Sequence, residues 1–152
     1  MGSSMSFYCD HCHYSEDLLL GVGYRFPMEY EEITKNICEG KYGTAWKDLF
    51  LSKSRVAVNA EREAYFCPNC GKWENDYNLS LYEPKESAEE DAARSNYVCP
   101  WELRGKWKMM RLFVHKCPDC NKRMRYARMN DSPVCPKCGQ QGEFDAGTIF
   151  WD

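Results

Sequence analysis

Apolar residues recur along this chain at two periods, and the change from one to the other marks its elements. Phe7 and Tyr8 open an extended stretch, and Leu18–Phe26 reads as a strand in which Gly21 and Gly23 mark a bulge or close packing. From Glu29 the period lengthens. Tyr30, Ile33 and Ile37 lie three or four apart and Gly40 follows as a terminator, which predicts a short helix over 29–39. Thr44 is placed to cap a second helix with Ala45, Trp46, Leu49 and Phe50 on its apolar face. Alternation then returns at Val56 and Val58, at Tyr65 and Phe66, and at Asn78–Tyr82. Glu83–Asn96 holds no large apolar residue and reads as a solvated helix or a tether. Beyond it, strands are expected at Trp107–Lys116, Lys122–Met129 and Thr148–Trp151, with a turn at Asn130-Asp131-Ser132-Pro133.

Between these elements the chain carries four Cys-x-x-Cys pairs: Cys9/Cys12, Cys67/Cys70, Cys117/Cys120 and Cys135/Cys138. Two thiolates three residues apart can face one tetrahedral metal from a single tight turn. Two such turns complete a four-thiolate site with bonds of about 2.3 Å. In three pairs proline follows the first cysteine, as in Cys67-Pro68-Asn69-Cys70-Gly71, Cys117-Pro118-Asp119-Cys120-Asn121 and Cys135-Pro136-Lys137-Cys138-Gly139. Proline fixes φ, and the glycine or asparagine after the second cysteine tolerates the left-handed conformation that closes the turn.

These motifs resemble the knuckles of zinc ribbons and rubredoxin-like proteins, over the four knuckles and their flanking strands. The reading is a small α+β, metal-stabilised protein with two four-cysteine sites, two Zn2+ ions and ligands Cys9, Cys12, Cys67, Cys70, Cys117, Cys120, Cys135 and Cys138. Iron accepts the same thiolates, and the Cys135-Pro136-Lys137-Cys138-Gly139 knuckle looks like a rubredoxin one, so iron is the alternative at the second site. Disulfides fit poorly, because the spacing is wrong for long-range crosslinks and no apolar signal segment precedes Cys9. Thioredoxin-like chemistry lacks its βαβ pattern. Cys9-Asp10-His11-Cys12-His13 matches the c-type haem string, but Cys67/Cys70 then lacks a partner pair. His11 and His13 are either substitute ligands or flanking groups. Cys38 and Cys99 are left over, as small buried apolar residues or as a reactive thiol.

Charge divides the chain unevenly. Residues 1–96 hold 10 Lys/Arg against 17 Asp/Glu and residues 97–152 hold 10 against 6, the two nets of −7 and +4 giving −3 for the 152-residue chain. With 43% hydrophobic residues general disorder is not expected. The division predicts an acidic zinc ribbon with a helical insertion over 5–82, an acidic linker over 83–97 and a compact basic zinc ribbon over 98–152. Sequential pairing of the knuckles suits this, since only 14 residues separate Cys120 from Cys135 against 54 between Cys12 and Cys67. Met1–Ser4 looks like an expression-tag remnant, which explains Gly2 and Ser6 better than the myristoylation pattern they fit.

Three functions suit this reading. A nucleic-acid-binding module would use Arg111, Phe113 and His115 on the strand entering the third knuckle and Arg123 and Arg125 on the strand leaving it, cations for phosphates beside an aromatic for a base. A protein-interaction adaptor would use the aromatics of the helical insertion, with zinc purely structural. A rubredoxin-like redox protein would need iron. Closed four-cysteine sites leave no position for a catalytic water, and no hydrolase triad, phosphate loop or paired-carboxylate motif is present, so a non-enzyme is expected. No run approaches the ~18 apolar residues of a membrane span, and the expected location is cytoplasmic. The partner is nucleic acid or protein, with no small-molecule substrate evident.

Overall fold

The computed structural model describes residues 2–85, 97–147 and 149–151. Its α+β architecture falls into two units, each built from separate stretches of chain. Unit 1 takes residues 1–23, 62–77 and 114–152, and unit 2 takes residues 24–61 and 78–113. The expected division into 5–82, a linker and 98–152 is not the division the chain makes. Residues 83 and 84 belong to a strand of unit 2, and 86–96 lie outside the described residues.

Unit 1 contains two small antiparallel sheets. In the first, β1 (Ser3–Tyr8) lies between β2 (Ser15–Leu20) and β9 (Glu143–Ala146), with Phe7 opposite both Glu16 and Phe144. Ser4 is buried there and its hydroxyl donates to the Ile149 carbonyl at 3.0 Å, so Ser3 and Ser4 take part in the sheet. In the second, β4 (Arg62–Phe66) lies between β5 (Trp73–Tyr77) and β8 (Arg125–Tyr126). Inward residues of both sheets share one core. Met5, Phe7, Leu18, Ala64, Phe66 and Phe144 pack together, and Phe7 stacks on Trp73 with centroids 4.7 Å apart. Asn75 stitches the sheets: its amide accepts from Leu19 N–H at 3.0 Å and donates to Leu19 and Glu63 carbonyls at 2.8 and 3.0 Å.

Unit 2 holds α1 (Phe26–Cys38), α2 (Thr44–Leu51) and α3 (Pro100–Lys106) with a sheet of β3 (Ala57–Val58), β6 (Leu81–Pro84) and β7 (Trp107–Arg111) in the order β3-β6-β7. The helix period holds: Phe26, Tyr30, Ile33 and Ile37 are the buried face of α1, Pro27 starts it, and Gly40 at φ +80° follows it. Thr44 is the first helical residue rather than the cap, which is Gly43. Residues 21–26 do not extend the strand expected over 18–26, since β2 ends at Leu20 and Phe26 begins α1. The strand expected over 107–116 ends at Arg111, because the chain passes from unit 2 to unit 1 after Phe113. The strand expected over 122–129 shrinks to Arg125–Tyr126, the stretch that β4 pairs with. The last strand lies at Glu143–Ala146, earlier than expected, because β1 pairs there; only Trp151 of the expected stretch makes a bridge, to Gly2, and Thr148 is outside the described residues.

Candidate metal centres

All four knuckles close in the same way. The N–H of the first cysteine donates to a carbonyl five residues on: Cys9 to Tyr14, Cys67 to Lys72, Cys117 to Lys122 and Cys135 to Gln140, at 2.7–2.9 Å. The residue after the second cysteine donates back to the first cysteine's carbonyl at 2.8–2.9 Å. That residue is left-handed in every knuckle, with φ of +57° at His13, +77° at Gly71, +56° at Asn121 and +74° at Gly139. Its position requires a positive φ, which glycine and asparagine tolerate and histidine accepts at some cost. His13 is therefore the closing residue of the first knuckle. Neither His11 nor His13 belongs to a cysteine group, and His13 Nδ1 lies 3.0 Å from the Tyr8 hydroxyl.

The knuckles pair in a nested order, which corrects the sequential pairing. Cys9 and Cys12 meet Cys135 and Cys138, while Cys67 and Cys70 meet Cys117 and Cys120. Strand pairing is the reason: β1 binds β9 and so brings the first knuckle to the last, and β4 binds β8 and so brings the second to the third. The four sulfurs of each group lie within 4.8 Å of one another. Sγ–Sγ separations are 3.6 Å for Cys9–Cys138 and Cys12–Cys135, 3.5 Å for Cys67–Cys120 and Cys70–Cys117, and 3.7 Å for Cys70–Cys120. A tetrahedron with metal–sulfur bonds of about 2.3 Å has edges of about 3.8 Å. The separations match those edges and are far beyond a disulfide's ~2.05 Å, and all ten cysteines are free. Each group can hold one metal ion, and the sulfurs alone do not choose zinc over iron.

Backbone amides favour the thiolate and prevail at two ligands. At Cys70 and Cys138 the N–H groups of Lys72 and Gln140 are outweighed by burial and the neighbouring thiols, and the thiol is pushed up to about 12. Cys120 is pulled down to about 7, first by the N–H of Lys122 and then by neighbouring thiols. Cys135 also reaches about 7: burial opposes ionisation, and the N–H groups of Cys138 and Lys137 overcome it. Such N–H···S bonds favour the anionic form that a metal needs.

The centres share more than a core. Val134, beside the fourth knuckle, donates its N–H to the Gly71 carbonyl of the second at 2.9 Å. Trp73 Nε1 donates to the Val134 carbonyl at 3.0 Å. Sequence reading missed this seam, since nothing local to Trp73 or Val134 signals it.

The five residues expected to bind nucleic acid fall in both units. Arg111 is exposed on β7, and Phe113 packs edge-on against Trp46 and Tyr42 at 5.0 and 6.2 Å, both in unit 2. In unit 1, His115 is buried and stacked on Tyr65 at 3.8 Å, and Arg125 grips Asp131 through two bonds of 2.8 and 2.5 Å. Arg123 alone of the three in unit 1 is exposed and makes no ion pair among the described residues. Of the spare cysteines, Cys99 is buried at the start of α3 and Cys38 is half-buried. No helix of the described residues is long and apolar enough to cross a membrane.

In comparisons with known proteins, no family model matches this chain, no curated protein matches it, and no solved structure matches it.

Proposed function

We propose that this protein is a recognition module whose two four-cysteine centres hold structural zinc in ribbon-like hairpins, and that it contacts nucleic acid through the hairpin of the third knuckle. The observation that carries the reading is the set of exposed cations there. Lys116 pairs with Arg123 across an antiparallel bridge, Lys122 adjoins them, and none of the three makes an ion pair among the described residues. Tyr126 lies further along the same hairpin, half-exposed and stacked on Tyr65 at 5.5 Å, and offers a ring face for a base. These residues take over from Phe113, His115 and Arg125, which are engaged within their own units. Closed four-thiolate centres leave no open coordination position, which supports a structural rather than a hydrolytic metal.

The test is a fluorescence-anisotropy titration of the metal-loaded protein with single-stranded RNA and DNA at two salt concentrations. Affinity should fall steeply with salt, and Lys116→Gln, Lys122→Gln and Arg123→Gln together should remove most of it while metal content stays at two. Unchanged affinity in that variant would exclude this face and favour the adaptor reading, in which the metal only maintains shape.

A further inference from the structure

Unit 1 contains a groove of about 740 Å³ between the two centres. Cys70 of one centre and Cys135 of the other both line it, with Trp73 and Tyr14 as aromatic walls. Its charged lining is Glu16, Glu74, Asp76 and Asp119 against the single cation Lys72, a formal −4 + 1 = −3. Lys72 is already committed, 2.9 Å from Asp119 at one side of the groove. Glu16 receives the Tyr14 hydroxyl. Asp76 is 3.9 Å from His115 and also accepts the N–H of Tyr77. Glu74 is different: it is half-buried on β5, and its carboxylate makes no hydrogen bond or close ion pair among the described residues, with only the charge of Lys72 drawing on it. Burial raises its pKa, and the charge of Lys72 offsets part of that rise.

The centres reinforce this charge. Four thiolates around one divalent ion carry a formal −2, and one ligand from each such centre faces the groove, an argument that rests on both centres being metal-loaded. A wall with two dianions behind it and the Glu74 carboxylate on it disfavours any anion. It attracts a cation carried on an apolar stem that can lie along Trp73 and Tyr14.

We propose that this groove is a docking site for an extended, cationic peptide segment, whose Lys or Arg side chains pair with Glu74 and Asp76. Glu74 and Asp76 alternate on β5 and so present their carboxylates to one side, at the spacing of alternate residues in an extended partner strand. The groove takes Asp119 from the knuckle that the Lys116–Arg123 bridge flanks, and would give one unit surfaces of opposite charge.

The test uses the full, metal-loaded chain and a fluorescein-labelled peptide of alternating Lys and Gly. The same peptide with Glu for Lys serves as control. The lysine peptide should bind in a salt-sensitive way and the glutamate peptide should not. Glu74→Gln with Asp76→Asn should weaken binding about tenfold. Glu31→Gln with Glu32→Gln, exposed acids on α1, makes the same change in net charge and should leave affinity unaltered. Metal content and circular dichroism of each variant establish that the centres are intact. Loss of metal binding in the wild-type chain would instead refute the metal reading. Equal weakening in both pairs, or no binding of the lysine peptide to the loaded protein, would overturn the proposal. RNA binding measured on the same groove variants should be unchanged, so failure of either surface is read separately.

Discussion

Removing cysteines two at a time tests the nested pairing directly. Cys9→Ser with Cys135→Ser damages a single centre in the structure, and Cys9→Ser with Cys67→Ser damages both. Metal per chain, measured by inductively coupled plasma mass spectrometry after gel filtration, should fall from two to one in the first variant and to none in the second. Sequential pairing predicts the reverse, none and then one. A structural zinc in a small domain contributes an apparent ~10–16 kcal/mol, against a net stability of about 5–15 kcal/mol for an ordinary domain. Unit 1 should therefore survive with one ion and not with zero. The surviving centre should still feel the loss. The seam at Val134 consists of two hydrogen bonds, Val134 N–H to Gly71 and Trp73 Nε1 to Val134, each worth about 1 kcal/mol. Loosening both should weaken the metal affinity of the Cys67/Cys70/Cys117/Cys120 centre about 30-fold, read by competition with a chromogenic chelator. One ion in the Cys9/Cys67 variant with none in the Cys9/Cys135 variant would refute the pairing. Full affinity at the surviving centre would refute the seam.

Two further outcomes are expected. Asn75→Ala removes three hydrogen bonds that join β2, β4 and β5; it should cost about 2 kcal/mol and lower Tm by roughly 10 °C, and an unchanged thermal transition would show that the sheets hold without it. Burial pushes the Tyr30 phenol up to about 12 from 10.0, its hydroxyl accepting the Val58 N–H at 3.3 Å. A folded value above the unfolded one means that stability is complete below pH 10 and is lost as pH rises from 10 to 12, by about 3 kcal/mol in all. The urea midpoint should therefore drop more in the wild type than in Tyr30→Phe between pH 9.5 and 11.5, and equal drops would place the alkaline loss elsewhere.

Local chemistry was legible along the chain wherever it acts over a few residues. Each Cys-x-x-Cys turn, the proline after its first cysteine and the left-handed residue after its second follow from rules about single φ angles. The same holds for α1, because Tyr30, Ile33 and Ile37 can share a face only at the helical period. His13 could have been recognised by position, since it occupies in the first knuckle the place of Gly71, Asn121 and Gly139. Charge along the chain was informative about composition but misleading about domains, because −7 and +4 describe halves that the fold does not keep apart.

What only the tertiary structure decided is which knuckles meet. A knuckle carries two ligands and is equally complete with any of the other three, so spacing alone leaves the choice open. Hydrogen bonding of β1 to β9 and of β4 to β8 makes the choice over separations of more than a hundred and of about sixty residues. Those pairings bury Phe7 with Phe144 and Trp73 in one core, a gain that appears only once distant stretches are side by side. They also leave the groove between the centres, whose Glu16, Glu74 and Asp119 are unremarkable acids in the chain and become one surface in the fold. The residues bring the metal chemistry with them; the long-range burial of apolar strands decides where that chemistry stands and what lies beside it.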